Sequence, residues 1–171
     1  PFFLELNFSD IPALICGFVC GPLSAVIVVS IKILLKLPFT STACVGELGD
    51  LIIGIAFAAI PALIYKQNMT MKFALIGLIA GTVASIAAAI LSNIFLLVPF
   101  YTIVFYEGDL SAIVDIISDF APGINEDNFY GLYSLYVVIP FNLLRCAVAA
   151  AVTFPLFKRI AVLLDKINIK F

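Results

Sequence analysis

The chain has 171 residues, 64% hydrophobic and only 12% charged, with a net charge of −2 and a mean hydropathy of +1.22. Soluble domains run at about 45–50% apolar and about 25% charged, so a soluble fold of this size would have to leave apolar side chains over its whole surface; a bilayer removes that conflict. No basic tract offers a nucleic-acid surface, and the absence of His excludes His-based triads, HExxH zinc sites and His-ligated haem.

Residues 1–8 read as an interfacial loop around Phe2, Phe3 and Leu4. Ser9 or Asp10 is a helix N-cap, with Pro12 in the first turn behind it. The apolar run 9–20 is too short to span, since twelve helical residues reach about 18 Å against about 30 Å of hydrocarbon. Gly21-Pro22 then breaks the chain. The next segment, 22–37, is either the second arm of a short hairpin or the rest of one kinked span. A polar loop over 38–46 leads to a helix over 47–65, and the turn YKQNMTMK to a long apolar helix over 71–98 that Pro99 ends. Residues 109–120 (DLSAIVDIISDF) place Leu110, Ile113, Val114, Ile117 and Phe120 on one face. They predict a short amphipathic helix at the interface, capped by Asp109 and stopped by Pro122-Gly123. A last span covers 132–164 and runs into a basic tail.

Charge orients the spans. Lys66 and Lys72 flank one turn, Lys158, Arg159, Lys166 and Lys170 mark the tail, and 106–131 carries six carboxylates and no Lys or Arg. The positive-inside rule puts the turn and the tail in the cytoplasm and the acidic loop outside. Lys32 and Lys36, near the outer face, run against the rule. Cys16, Cys20, Cys44 and Cys146 form no CxxC pair and read as small apolar packing residues rather than a redox or metal site. Gly77 and Gly81 form a GxxxG that lets a neighbouring helix approach closely, within the bundle or from a partner.

Arg145, within the last span, is the most informative side chain. A charge there costs about 2.5–3.5 kcal/mol on insertion scales, so it must meet a partner or a polar cavity. Asn142 lies one turn earlier, Asn93 in the outer half of its helix, and Glu47 and Asp50 one turn apart at the outer start of theirs. Two readings follow: a buried ion pair of Arg145 with Asp50 or Glu47, or a polar ligand pocket opening outward.

The strings FLELNFSDIPALICGFVCGP, GELGDLIIG, LSNIFLLVPFY and IPFNLLR occur in that order. Together they resemble the riboflavin-specific S component of energy-coupling factor (ECF) vitamin transporters, over almost the whole chain. The resemblance implies an all-α integral membrane bundle of six helices, the short 9–20 segment being the second. A transmembrane helix ahead of the PFFLELNFSD loop is part of that pattern and is not in this sequence. Also implied are a prokaryotic multi-pass location and a vitamin site near the outer face. The candidate ligand residues are Phe3, Leu4, Leu6, Glu47, Asp50, Asn93, Asn142 and Arg145. Riboflavin would be cargo rather than cofactor, and energy would come from two ATPase subunits and a coupling membrane protein. The absence of a Walker A motif here agrees with that. The sequence departs from the family at Arg145, commonly Lys, and Asp50, commonly Asn. An S component for thiamine or folate is the alternative. A membrane-embedded enzyme has thinner support, because Glu47 and Asp50 are the sole candidate carboxylate pair.

Overall fold

The computed structural model describes residues 8–40, 42–118, 120–121 and 123–166, with side chains described through Leu163. The candidate loop residues Phe3, Leu4 and Leu6 lie outside them. All regular structure among the described residues is helical: α1 Asp10–Cys20, α2 Pro22–Lys36, α3 Val45–Gln67, α4 Met71–Ser92, α5 Val98–Phe105, α6 Ser111–Ser118, α7 Phe129–Tyr133 and α8 Ile139–Lys166. Four continuous helical stretches, Pro22–Phe39, Val45–Gln67, Met71–Phe105 and Phe129–Leu163, are long and apolar enough to cross a membrane. Many large apolar side chains on them point outward, including Leu23, Leu35, Ile79 and Phe95, as expected where lipid is the solvent.

α1 and α2 are the two arms of a hairpin. Gly21 sits at φ 92°, ψ 173°, a region that essentially only glycine adopts, and Pro22 starts the second arm. The open end of the hairpin is closed by Asp10 at the start of α1 and Lys32 near the end of α2, 2.9 Å apart. Asp10 therefore directs its carboxylate across the bundle, and neither it nor Ser9 caps α1 through its side chain.

α3 and α4 form the closest pair. A Cβ at Gly77 would lie 2.8 Å from the Pro61 carbonyl oxygen, and one at Gly81 2.6 Å from Pro61 Cγ. The GxxxG row thus serves internal packing, with Pro61 of α3 seated in the notch. At the opposite end from Asp10, the rings of Phe18, Tyr65 and Phe157 pack together at 4.8–5.4 Å and tie α1, α3 and α8.

Pro99 does not end the helix that begins at Met71. The chain passes through a π-helical turn, Asn93–Leu97, and continues as α5. The second long helix repeats the device: a π turn over Ser134–Val138 precedes Pro140 at the start of α8. A proline removes one backbone donor and its ring crowds the carbonyl four residues back. Widening the preceding turn makes room for the ring without breaking the helix. In both stretches the residues six before, two before and two after the proline are buried: Asn93, Leu97 and Tyr101, then Ser134, Val138 and Asn142.

α6 is shorter than its sequence pattern and lies over the end of the bundle. Ile113 and Ile117 are buried against Phe129, Tyr133 and Tyr101, whereas Phe120 is exposed. Asp109 accepts hydrogen bonds from the Ser111 amide and hydroxyl at its start, which hold its carboxyl below the usual carboxylate range.

Candidate functional site

Most of the buried polar side chains among the described residues fall into three groups. The first joins four helices. Arg145 of α8 donates from Nε to Asp10 Oδ2 at 2.8 Å and from Nη2 to Asp50 Oδ1 at 2.6 Å. Lys32 of α2 reaches Asp10 Oδ1 at 2.9 Å and Asp50 Oδ2 at 3.0 Å. Each carboxylate thus gives one oxygen to Lys32 and the other to Arg145, and the four charges alternate around a closed ring. All are largely withdrawn from solvent, Asp50 the most open at 13% side-chain exposure. Arg145 therefore has Asp50 as a carboxylate partner, and a second one, Asp10, that the sequence reading did not assign. Two cations and two anions at one level satisfy the requirement that intramembrane charges be paired.

The second group surrounds Glu47. Its Oε2 accepts hydrogen bonds from the Thr40 and Thr42 hydroxyls, each at 2.7 Å. Lys36 acts on it electrostatically. Gly46 leaves no room for a side chain, because a Cβ there would stand 2.6 Å from Thr42 Oγ1 and 3.1 Å from Tyr101 Oη. Among the described residues Glu47 is held by the two threonines and not by Arg145, so it organises the loop before α3. Lys32 and Lys36, which strained the charge rule, both have carboxylates beside them.

The third group lies between the two long helices. Ser85 and Cys146 meet at 3.1 Å and register α4 against α8. Farther along the same antiparallel pair, Tyr133 Oη donates to Asn93 Oδ1 at 2.8 Å, and Asn93 Nδ2 donates to the Ala89 carbonyl. Phe129 stacks on Tyr133 at 5.3 Å and 12°, and both rings are fully buried. Asn142 falls one turn from Cys146 and between the two cross-links. Its Nδ2 donates to the Val138 carbonyl at 2.9 Å, which fixes Oδ1 as the outward acceptor. That oxygen is buried and has no hydrogen-bond partner among the described residues, nor does Ser134 Oγ. A buried unsatisfied amide oxygen costs about 1–3 kcal/mol.

The sequence candidates are thus distributed over all three groups: Asp50 and Arg145 in the ring, Glu47 in the loop cluster, Asn93 and Asn142 between the long helices. Asp10, Lys32, Tyr133 and Ser134 belong to the same polar interior and were not singled out. Asp10 was legible as a second acid opposite two cations in apolar segments, but only as a count.

The family described as ECF transporter, substrate-specific component, matches residues 1–157 of this sequence. The chain belongs to this family. As an S component it is similar to the riboflavin transporter RibU of Staphylococcus aureus (strain TCH60), with 30% identity over 167 residues, 98% of this chain and 80% of that protein. It is also similar to the riboflavin transporter FmnP of Bacillus subtilis (strain 168), with 30% identity over 105 residues, 60% of this chain and 55% of that one. The solved structure reported as "Structure and mechanism of the S component of a bacterial ECF transporter" superposes with a TM-score of 0.70 at 28% identity, covering 96% of this chain and 82% of its own. The S component is accordingly a multi-pass helical protein of a prokaryotic cell membrane and a transporter subunit, not an enzyme.

Proposed function

We propose that this S component binds riboflavin from the outer side of the membrane, and that uptake is driven by a separate module of a coupling membrane protein and two ATPase subunits. The observation that carries the reading is the orphaned Asn142 Oδ1, buried and held as an acceptor in a chain whose similar relatives are named riboflavin transporters. The isoalloxazine edge alternates carbonyl oxygens with a ring N–H, so its N–H would satisfy that oxygen while Asn93 and Arg145 serve the carbonyls. Asn93 keeps one Nδ2–H beyond its bond to Ala89, and the guanidinium has five donors in all. Phe and Tyr side chains supply apolar faces for a flat ring. Phe3, Leu4, Leu6, Glu47 and Asp50 complete the proposed site, the first three from the loop ahead of α1.

Riboflavin is cargo in this reading, and the chain alone hydrolyses no ATP. The test is binding of riboflavin to the purified chain by quenching of flavin fluorescence, with thermal stability in detergent measured on the same samples. Asn142→Ala and Arg145→Ala should each weaken binding by about tenfold to several hundredfold, at about 1.4 kcal/mol per decade. Full affinity in a stable Asn142→Ala protein would remove the assignment. Preferential binding of thiamine or folate would replace the ligand and keep the transporter reading.

A further inference from the structure

α4 and α8 touch at Ser85 and Cys146. From there toward the start of α4, their outward sides part into a groove of about 240 Å³, lined by Leu75, Ile79 and Thr82 on α4 and by Ala150, Ala151 and Phe154 on α8. The small side chains of Ala150 and Ala151 leave one wall low opposite Leu75 and Ile79. Those two are exposed on the outer surface of the bundle, so the groove faces lipid. Thr82 donates its hydroxyl to the Leu78 carbonyl at 2.8 Å, which leaves the lining without a free donor. From Leu75 to Thr82 the groove follows about 10 Å of helix, about a third of the hydrocarbon thickness. An apolar slot of that depth suits a hydrocarbon chain.

A lysine stands at the same end of each wall, the end that the charge pattern assigns to the cytoplasm. Lys72 precedes Leu75 by three residues and Ile79 by seven, and Lys158 follows Phe154 by four and Ala151 by seven. Such spacings keep residues on one helix face. Both lysines are exposed, and neither has a hydrogen bond or ion pair among the described residues. Lys32 and Lys36 differ in having carboxylates beside them. α4 carries no carboxylate at all, and α8 none through Leu163. Two cations at the mouth of an apolar groove complement an anionic headgroup set above its acyl chain. We propose that the groove between α4 and α8 binds one anionic phospholipid of the inner leaflet, with an acyl chain along the groove and the headgroup phosphate between Lys72 and Lys158. A zwitterionic lipid fits less well, because its ammonium group would face the same lysines. No residue of the flavin reading lines this groove.

The test is native mass spectrometry of the purified chain in detergent, with dioleoyl phosphatidylglycerol and dioleoyl phosphatidylcholine supplied in equal amounts. The parent should retain one phosphatidylglycerol in preference to phosphatidylcholine. Lys72→Gln/Lys158→Gln should lower that preference by about tenfold. Lys66→Gln/Arg159→Gln removes the same charge at the same end but off the groove, Lys66 being on α3 and Arg159 turned about 140° round α8 from Phe154. It should keep the preference within about threefold. Ala151→Leu fills the groove, keeps every charge and should reduce binding of both lipids. All the substituted side chains are exposed, and thermal unfolding of each variant checks that the fold survives. Equal retention of the two lipids by the parent would give the groove to any acyl chain and overturn the proposal. Equal loss of preference in the two double variants would reduce it to diffuse surface charge and overturn it as well. Undiminished phosphatidylglycerol binding by Ala151→Leu would remove the lipid from the groove. A dimer in the parent spectra that disappears in Ala151→Leu would seat a second copy of the chain there instead.

Discussion

Arg145 and Asp10, 135 positions apart in sequence, meet side by side: Nε and Nη2 of the guanidinium both lie 2.8 Å from Asp10 Oδ2. This contact closes α8 onto α1. Removing one member of a buried pair leaves the other charge uncompensated and costs about 3–5 kcal/mol. Asp10→Asn and Arg145→Met should therefore each lower the detergent unfolding temperature strongly. Asp10→Asn combined with Arg145→Met leaves the Lys32–Asp50 pair intact and should recover much of the loss. Additive losses in the two single and the double variants, measured by thermal unfolding, would show that the two residues are not coupled.

The 2.8 Å bond from Tyr133, the residue before the second π turn, to Asn93, the first residue of the other, joins the two long helices beside an apolar cluster. Tyr133→Phe keeps the ring stacked on Phe129 and removes only the hydroxyl. The expected cost is about 1–3 kcal/mol, because Asn93 Oδ1 loses its donor in a buried setting. Thermal unfolding of Tyr133→Phe beside Asn93→Leu/Tyr133→Phe checks the assignment. The double variant should be less destabilised than the single one, since neither polar partner is then left alone.

Gly81 is packed against Pro61 with no space for a methyl group. Gly81→Val should push α3 and α4 apart and cost about 1–3 kcal/mol or more by overpacking. Gly131, where a Cβ would meet nothing within 4 Å, is the control, and Gly131→Ala should be near neutral. Equal unfolding temperatures for Gly81→Val and the parent would contradict the close approach.

The charge pattern sets a sidedness that labelling can test. On a background with all four cysteines replaced, Asn125→Cys should react with an impermeant thiol reagent in intact cells, and Asn68→Cys should react only after the membrane is opened. The reverse pattern would invert the bundle and move the proposed binding face to the cytoplasm.

The sequence by itself determined the membrane environment, the all-helical class and the helix breaks at Gly21-Pro22 and within the 65–72 turn. These are set by composition and by nearest-neighbour backbone chemistry, which act over a few residues. It misread Pro99 as a stop because a proline one turn beyond a π turn can be absorbed, and whether the chain ends or widens there depends on what packs around it. It placed Arg145 in need of a partner and left Asp50, Glu47 and a ligand pocket open, since an unpaired charge in an apolar span is prohibitive wherever the partner comes from. Only the tertiary structure decided that Asp10 and Lys32 complete the ring, that Glu47 answers to Thr40 and Thr42, and that Asn93 is held by Tyr133. Those pairings join helices far apart in sequence, and their geometry is fixed by how Gly77 and Gly81 seat Pro61 and how Gly21 folds α1 back on α2, contacts that no local pattern encodes.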